Sequence, residues 1–233
     1  MENNFNLTTY DVTQIERVAF IKKTYTYVAY AFLAFIIFEG ILLSTPFAVQ
    51  LAYTLSQNWL IVIGLFMGGS WLANKWVMEP GNINKQYLGL FSYAFFQAII
   101  FLPMIVYLLS SERFDGKVDD IIAQAGVVSL GLFTGLSAVA IFSKKDFSFL
   151  RSILTIGFGI ALALIVASLL IGFDLGLVFS GAMVFLAGGS ILYQTSRLVH
   201  DYHSNQHVAA ALSLFASFML LFYYILQIFM SRD

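Results

Sequence analysis

Seven long apolar stretches alternate with short polar gaps along the chain, at roughly 24–44, 57–74, 87–109, 121–142, 150–172, 175–195 and 208–230. Each is close to the ~20 residues that a helix needs to cross a bilayer core of ~30 Å. A soluble helix keeps a polar face for water, and these segments have none. The pattern predicts an all-α integral membrane protein with seven transmembrane helices in a bundle. Of all the Asp, Glu, Lys and Arg residues, only Glu39 and Arg151 fall inside the apolar bounds, Arg151 at an edge. The gaps are too short to hold a separate soluble domain. Residues 1–20 are polar and mildly acidic and read as a flexible cytosolic tail, with residues 21–233 as the membrane domain. The first apolar run follows Lys22 and Lys23 and lacks a small-residue cleavage site, so it is expected to stay as the first span rather than to act as a cleaved signal.

Composition agrees with lipid as the solvent. The chain is 60% hydrophobic and 11% charged, where a soluble domain carries about 25% charged residues. Its mean hydropathy is +0.84. A net charge of −1 offers no basic patch to release counterions, which argues against nucleic acid as a partner. With no cysteine, disulfides, thiolate metal sites and cysteine nucleophiles are excluded.

Positive charge marks cytoplasmic loops. Arg17, Lys22 and Lys23 precede the first span, Lys75 and Lys85 follow the second, and Lys144, Lys145 and Arg151 surround the turn between the fourth and fifth. The alternate gaps hold less: none after the first span, Arg113 and Lys117 after the third, and none after the fifth. The bias predicts a cytoplasmic N-terminus and an outer C-terminus. The loop after the third span is also acidic, with Glu112, Asp115, Asp119 and Asp120, which suits an outer, solvated surface.

Helices in lipid associate through close packing of small residues and through interhelical hydrogen bonds. Gly64 and Gly68, Gly131 and Gly135, and Gly181 and Gly189 are spaced to line single helix faces, as are Ala209, Ser213 and Ser217 in the last span. These faces are expected to pack a compact bundle. Pro103 is expected to bend the third span, and a kinked central helix commonly borders a cavity.

Few residues can carry chemistry. A charge at the bilayer centre costs roughly 2.5–3.5 kcal/mol on insertion scales, so Glu39 is either a proton or cation site in a polar cavity or a carboxylate snorkelling to the outer interface. Gln97, Gln194, Ser217 and Gln227 either cross-link helices or line an ion path. His200, His203 and His207 have a spacing that would place three imidazoles on one helix face, but they lie in a polar loop where a regular helix is doubtful; no metal site is expected. Gly135-Leu136-Ser137-Ala138 approaches a serine-protease turn, yet no histidine lies within a span to activate Ser137. The spans contain no aspartate for an intramembrane aspartyl protease and no mid-span lysine for retinal. No phosphate-binding loop is present, and no cofactor is expected.

Three segments together resemble the Bax inhibitor-1 family, in its bacterial YccA-like branch. Lys144-Lys145-Asp146-Phe147-Ser148-Phe149-Leu150 resembles the family's basic turn between the fourth and fifth spans. Ile191-Leu192-Tyr193-Gln194-Thr195-Ser196-Arg197 is similar to its sixth-span motif, and the run from Ala211-Leu212-Ser213-Leu214-Phe215 to Ile228 to its last span. Ile21-Lys22-Lys23-Thr24-Tyr25 is similar to the family's approach to the first span. The resemblance covers about residues 20–233 and implies six helices packed around the last. It also implies one of two roles. Some members are pH-sensitive calcium leaks gated by two aspartates that share a proton. Gln194 and Ser217 stand where those aspartates would be, and neither side chain titrates, so that gate cannot operate here. YccA-like members are instead associated with the membrane-anchored AAA protease FtsH, as regulators and slow substrates. The expectation is therefore a non-enzymatic inner-membrane protein that modulates membrane protein quality control. The alternative is a calcium leak without the pH switch, using Gln194, Ser217 and Glu39. A transporter is disfavoured, since no internal repeat or pair of broken helices is visible.

Overall fold

The computed structural model describes residues 9–79, 81–143, 145–203 and 205–232. Among them are eight α-helices, one 3-10 turn at Glu112–Phe114 and no strand. Seven of the helices are long and apolar enough to cross a membrane.

Helix α1 runs Thr9–Leu43, 35 residues or about 52 Å, well beyond a bilayer core. No Gly or Pro interrupts the polar segment before the first span, so the helix continues backward through it. This revises the expected tail: residues 9–20 are helical and continuous with the first span, and residues 1–8 lie outside the described residues. The Arg17 side chain ties this extension to the rest of the fold. Its Nη1 donates to the Leu198 carbonyl at 3.2 Å and to the Tyr202 carbonyl at 2.7 Å.

Helix α2 (Pro46–Gln57) was not foreseen. At 12 residues it rises about 18 Å, too short to cross. Pro46 at its first position supplies a ready-made helical φ. Ala48, Ala52 and Leu55 form its buried face, and the two alanines pack on Leu102 and Val106. Phe47 and Tyr53 remain exposed, as on a helix lying at the interface.

The other spans are α3 (Trp59–Val77), α4 (Ile83–Ser110), α5 (Val118–Phe142), α6 (Leu150–Ile171), α7 (Gly176–His200) and α8 (His207–Arg232). Each follows its predicted apolar stretch with small shifts at the ends. Gly172, expected inside the fifth span, instead ends α6 in the left-handed conformation at φ 80°, which a side chain would strain. Helix α4 is continuous through Pro103.

Helix α8 is the axis. Of its most apolar window 72% is buried, against 56% for α4 and 11% for α6. It is enclosed by α1, α4, α5 and α7, with α3 touching it. Helix α6 packs mainly on α7 and reaches the axis where Ala161 and Met183 meet Tyr224. Aromatic rings tie the layers: Phe218 of α8 meets Phe32 of α1 at 4.3 Å between centroids and Phe133 of α5 at 5.4 Å, both edge to face.

Of the expected glycine faces, only Gly189 meets a neighbouring helix, its added methyl reaching the Leu154 side chain of α6 at 3.4 Å. Space is open around Gly64, Gly68, Gly131, Gly135 and Gly181. Close approach falls elsewhere: Gly69 lies against the Phe96 ring, and Gly89 against the Ala73 carbonyl and the Val77 side chain, which seats α4 on α3. Spacing marks a smooth helix face; it does not say whether a helix or lipid covers it.

Candidate functional site

The polar residues of the last two helices meet along one antiparallel seam. Two rungs lie ten residues apart on both helices, about 15 Å. At one rung Ser180 of α7 donates to the Gln227 Oε1 of α8 at 2.9 Å. At the other the Ser190 and Ser217 hydroxyls are 2.8 Å apart. Ser217 donates its proton to the Ser213 carbonyl at 3.0 Å, which leaves Ser190 as donor across the seam. The run ends at the α7–α8 turn, where the Tyr202 and Ser213 hydroxyls are 3.3 Å apart. Beside it, Thr195 of α7 donates to Ser137 of α5 over a long 3.5 Å. Ser137, Ser190, Thr195 and Ser217 are all buried.

Ser217 is therefore a helix cross-link, and its partner is Ser190. Gln194, one turn further along α7, lines a cavity of about 460 Å³ between α6 and α7. Its Oε1 is buried and accepts no hydrogen bond from a described residue. Gln97 is satisfied within α4, donating from Nε2 to the Tyr93 Oη at 2.9 Å. Gln227 is likewise held, by Ser180.

Glu39 stands apart. It is 8% exposed, and neither carboxylate oxygen finds a hydrogen-bond partner among the described residues. It does not snorkel out of the bundle. It lines neither the α6–α7 cavity nor a second one, of about 470 Å³, whose walls include Tyr53 of α2, Pro103 and Tyr107 of α4, and Gln227 of α8. That second cavity is the one expected beside Pro103.

The signature turn before α6 is a docking device. Lys144 lies outside the described residues, and Lys145 is exposed. Asp146 Oδ1 accepts from the Ser148 backbone N–H at 2.8 Å and from its hydroxyl. Those bonds, the hydroxyl first, hold the carboxyl below its ordinary range. The preceding backbone N–H, of Phe147, donates to Ser196 of α7 at 3.0 Å and ties the turn to the bundle.

The histidines are dispersed, as their polar loop suggests. His200 closes α7, with its Nδ1 2.9 Å from the Ser196 carbonyl. His203 lies in the turn, and its backbone N–H donates to Gln206 Oε1 at 3.1 Å. His207 opens α8, buried against Tyr27 at 5.2 Å between ring centroids. Among the described residues, no three His, Cys, Asp or Glu side chains are grouped to hold a metal.

Two functional features escaped the residue pattern. The Arg17 strap could not be found from spacing, because its partners are backbone carbonyls about 180 residues away. Ser190 could have been found, since Ser180 and Ser190 repeat at the interval separating Ser217 from Gln227.

This is a seven-span bundle with a hydroxyl-lined axis seam. Residues 17–233 match the family model described as "Inhibitor of apoptosis-promoting Bax1". The chain belongs to the Bax inhibitor-1 family. Family relatives reach across kingdoms. The chain is 28% identical over 222 residues to Bax inhibitor 1 of Schizosaccharomyces pombe, covering 91% of this chain and 76% of that one. It is 29% identical over 177 residues to the modulator of FtsH protease YccA of Escherichia coli, covering 75% and 76%. An uncharacterized Pseudomonas aeruginosa protein is 36% identical over 110 residues, which is 47% of this chain and about half, 49%, of that protein's own length. The family assignment agrees with the resemblance carried by the basic turn and the last two spans.

Proposed function

We propose that this protein is a non-enzymatic modulator of a membrane-anchored AAA protease of the FtsH kind, set in a bacterial inner membrane with its N-terminus cytoplasmic and its C-terminus outside. The E. coli relative supports the reading by the name it bears. The observation that carries it is the Arg17 strap. The α1 extension continues the first span as a helix and is pinned at Arg17 to the end of α7 and the α7–α8 turn, so a protease pulling from this end meets that tie before it reaches the first span. Beyond that point, pulling must drag apolar spans from lipid into water.

The test separates the handle from the strap. Deleting residues 2–8 leaves Arg17 in place and is expected to lengthen the protein's half-life in cells carrying the protease. Arg17→Ala is expected to shorten it, because the α7–α8 turn then loosens. Equal half-lives for the wild type and the 2–8 deletion, with turnover of other protease substrates unchanged, would remove the reading. A topology reporter placed at the C-terminus should be exported, and a cytosolic signal would overturn the orientation.

A calcium leak is the second reading, favoured by one observation: Glu39 is a buried carboxylate without a hydrogen-bond partner among the described residues. The seam itself holds hydroxyls and amides, so no pair of carboxylates there can trap a proton as a gate. Calcium flux in proteoliposomes, above protein-free vesicles and reduced by Glu39→Gln, is the expected sign. Flux equal to the blank at both pH 6 and pH 8 eliminates the leak.

A further inference from the structure

The α6–α7 cavity gathers, beside Gln194, two arginines that neither reading uses. It lies at the end of the bundle where α6 begins and α7 ends. Two guanidiniums flank it, from Arg151 in the first turn of α6 and Arg197 near the end of α7. Asp201 borders it too, but its carboxylate stands 3.6 Å from the Arg197 Nε, so among the described residues that line the cavity positive charge outnumbers negative by one. The Arg197 guanidinium also rests on the rings of Tyr202 and Tyr193, 4.7 and 5.7 Å from their centroids, which limits its motion. Tyr193 and Gln194 share the lining, and the buried Gln194 Oε1 accepts no hydrogen bond from a described residue. Leu154 and Phe158 continue the wall one and two turns deeper along α6.

We propose that this cavity binds the headgroup of an anionic phospholipid that carries hydroxyls, of the phosphatidylglycerol kind. Each part of the ligand has a counterpart. Planar guanidiniums match phosphate oxygens in bidentate fashion. A phosphate cannot satisfy Gln194, which needs a donor; a glycerol hydroxyl can. Leu154 and Phe158 offer an apolar track for the acyl chain. The source is the bilayer because α6 is the least buried span and packs mainly on α7, which puts the groove at the bundle's perimeter. Arg151 marks the end of the apolar segment, at headgroup depth. Basic pockets between transmembrane helices at that depth are recognised by anionic headgroups. The proposal does not depend on the protease or leak readings.

The test is native mass spectrometry of the detergent-solubilised full-length chain, titrated with phosphatidylglycerol, phosphatidylethanolamine or phosphatidylcholine of matched acyl chains. Phosphatidylglycerol should be retained selectively. Arg151→Gln should weaken its retention about tenfold, the order expected for losing a charge-assisted contact, and Arg151→Gln/Arg197→Gln should weaken it further. The Arg151 side chain is exposed, so the single variant keeps the test alive should Arg197→Gln fail to fold. Gln194→Leu should shift preference away from phosphatidylglycerol without removing phosphate contacts. Arg232→Gln, at the far end of α8, should change nothing. Equal retention of all three lipids, an unchanged Arg151→Gln, an equal loss in Arg232→Gln, or displacement of the lipid by millimolar inorganic phosphate would each overturn the proposal.

Discussion

Helices α6 and α8 are both strongly apolar, and the fold treats them in opposite ways. The α6 window has the higher hydropathy, 2.6 against 2.1, and is the less buried, 11% against 72%. In water the more hydrophobic helix would sit inside. In lipid the order inverts, because hydrocarbon solvates apolar side chains as well as a protein interior does. What draws a helix to the axis is what lipid cannot satisfy. Helix α8 carries Ser213, Ser217 and Gln227, and α7 together with the α7–α8 turn supplies the hydroxyls that answer them. Helix α6 has no such need and stays at the rim.

The sharpest way to break this contrast is truncation at matched depth. Phe215 of α8 is fully buried and meets Phe32 of α1 at 5.2 Å and Tyr93 of α4 at 6.1 Å, ring centroid to centroid. Phe215→Ala should destabilise the bundle by about 2–3 kcal/mol, mostly through the cavity left behind, whereas Ile160→Ala on the lipid-facing side of α6 should stay within about 0.5 kcal/mol. Reversible unfolding in mixed micelles measures both, and comparable losses would show that α8 is not the axis.

Glycines sharpen it next. A methyl at Gly89 would meet the Ala73 carbonyl and the Val77 side chain, so Gly89→Ala should destabilise by about 1–3 kcal/mol. Gly131→Ala enters open space and should be neutral or slightly stabilising, since alanine favours helix. Thermal unfolding in detergent decides, and a large loss at Gly131 would show a helix contact absent from this bundle.

Arg17→Ala removes two donors from the turn that joins α7 to α8, with an expected loss of about 1–2 kcal/mol. Hydrogen exchange should rise at the turn before it rises in the spans. Uniform exchange across the bundle would sink the strap.

The smallest effect belongs to the seam itself. Ser190→Ala and Ser217→Ala should couple by about 0.6 kcal/mol in a double-mutant cycle, typical of hydrogen bonds between membrane helices. Strict additivity would mean that the rung is not formed.

Much of the architecture was legible from the residue pattern. All seven spans were visible as apolar runs, because crossing a bilayer imposes a length and a composition that need no tertiary information. Helix α2 was missed because Ala48, Ala52 and Leu55 are an amphipathic pattern too short to read as a span. The tail boundary was missed because polarity was taken as the end of the helix, when only Gly, Pro or a lost partner ends one. Most of the expected glycine positions, Gly189 excepted, face open space because helix and lipid accept the same smooth surface. At the site, the sequence shows that Gln194 and Ser217 carry no titrating side chain, yet their surroundings were not visible. Ser217 turned inward to Ser190, and Gln194 faced the α6–α7 cavity.

Sequence by itself determined that this chain is a seven-span membrane protein without a carboxylate pair at its sixth and seventh spans, because charge and span length are properties of residues one at a time. Only the tertiary structure decided which helix is central, which glycines touch, and that Arg17 reaches the α7–α8 turn while Arg151 and Arg197 flank one cavity. Those are pairings between distant segments, and a solvent that accepts every apolar face equally leaves no trace of them in the local pattern.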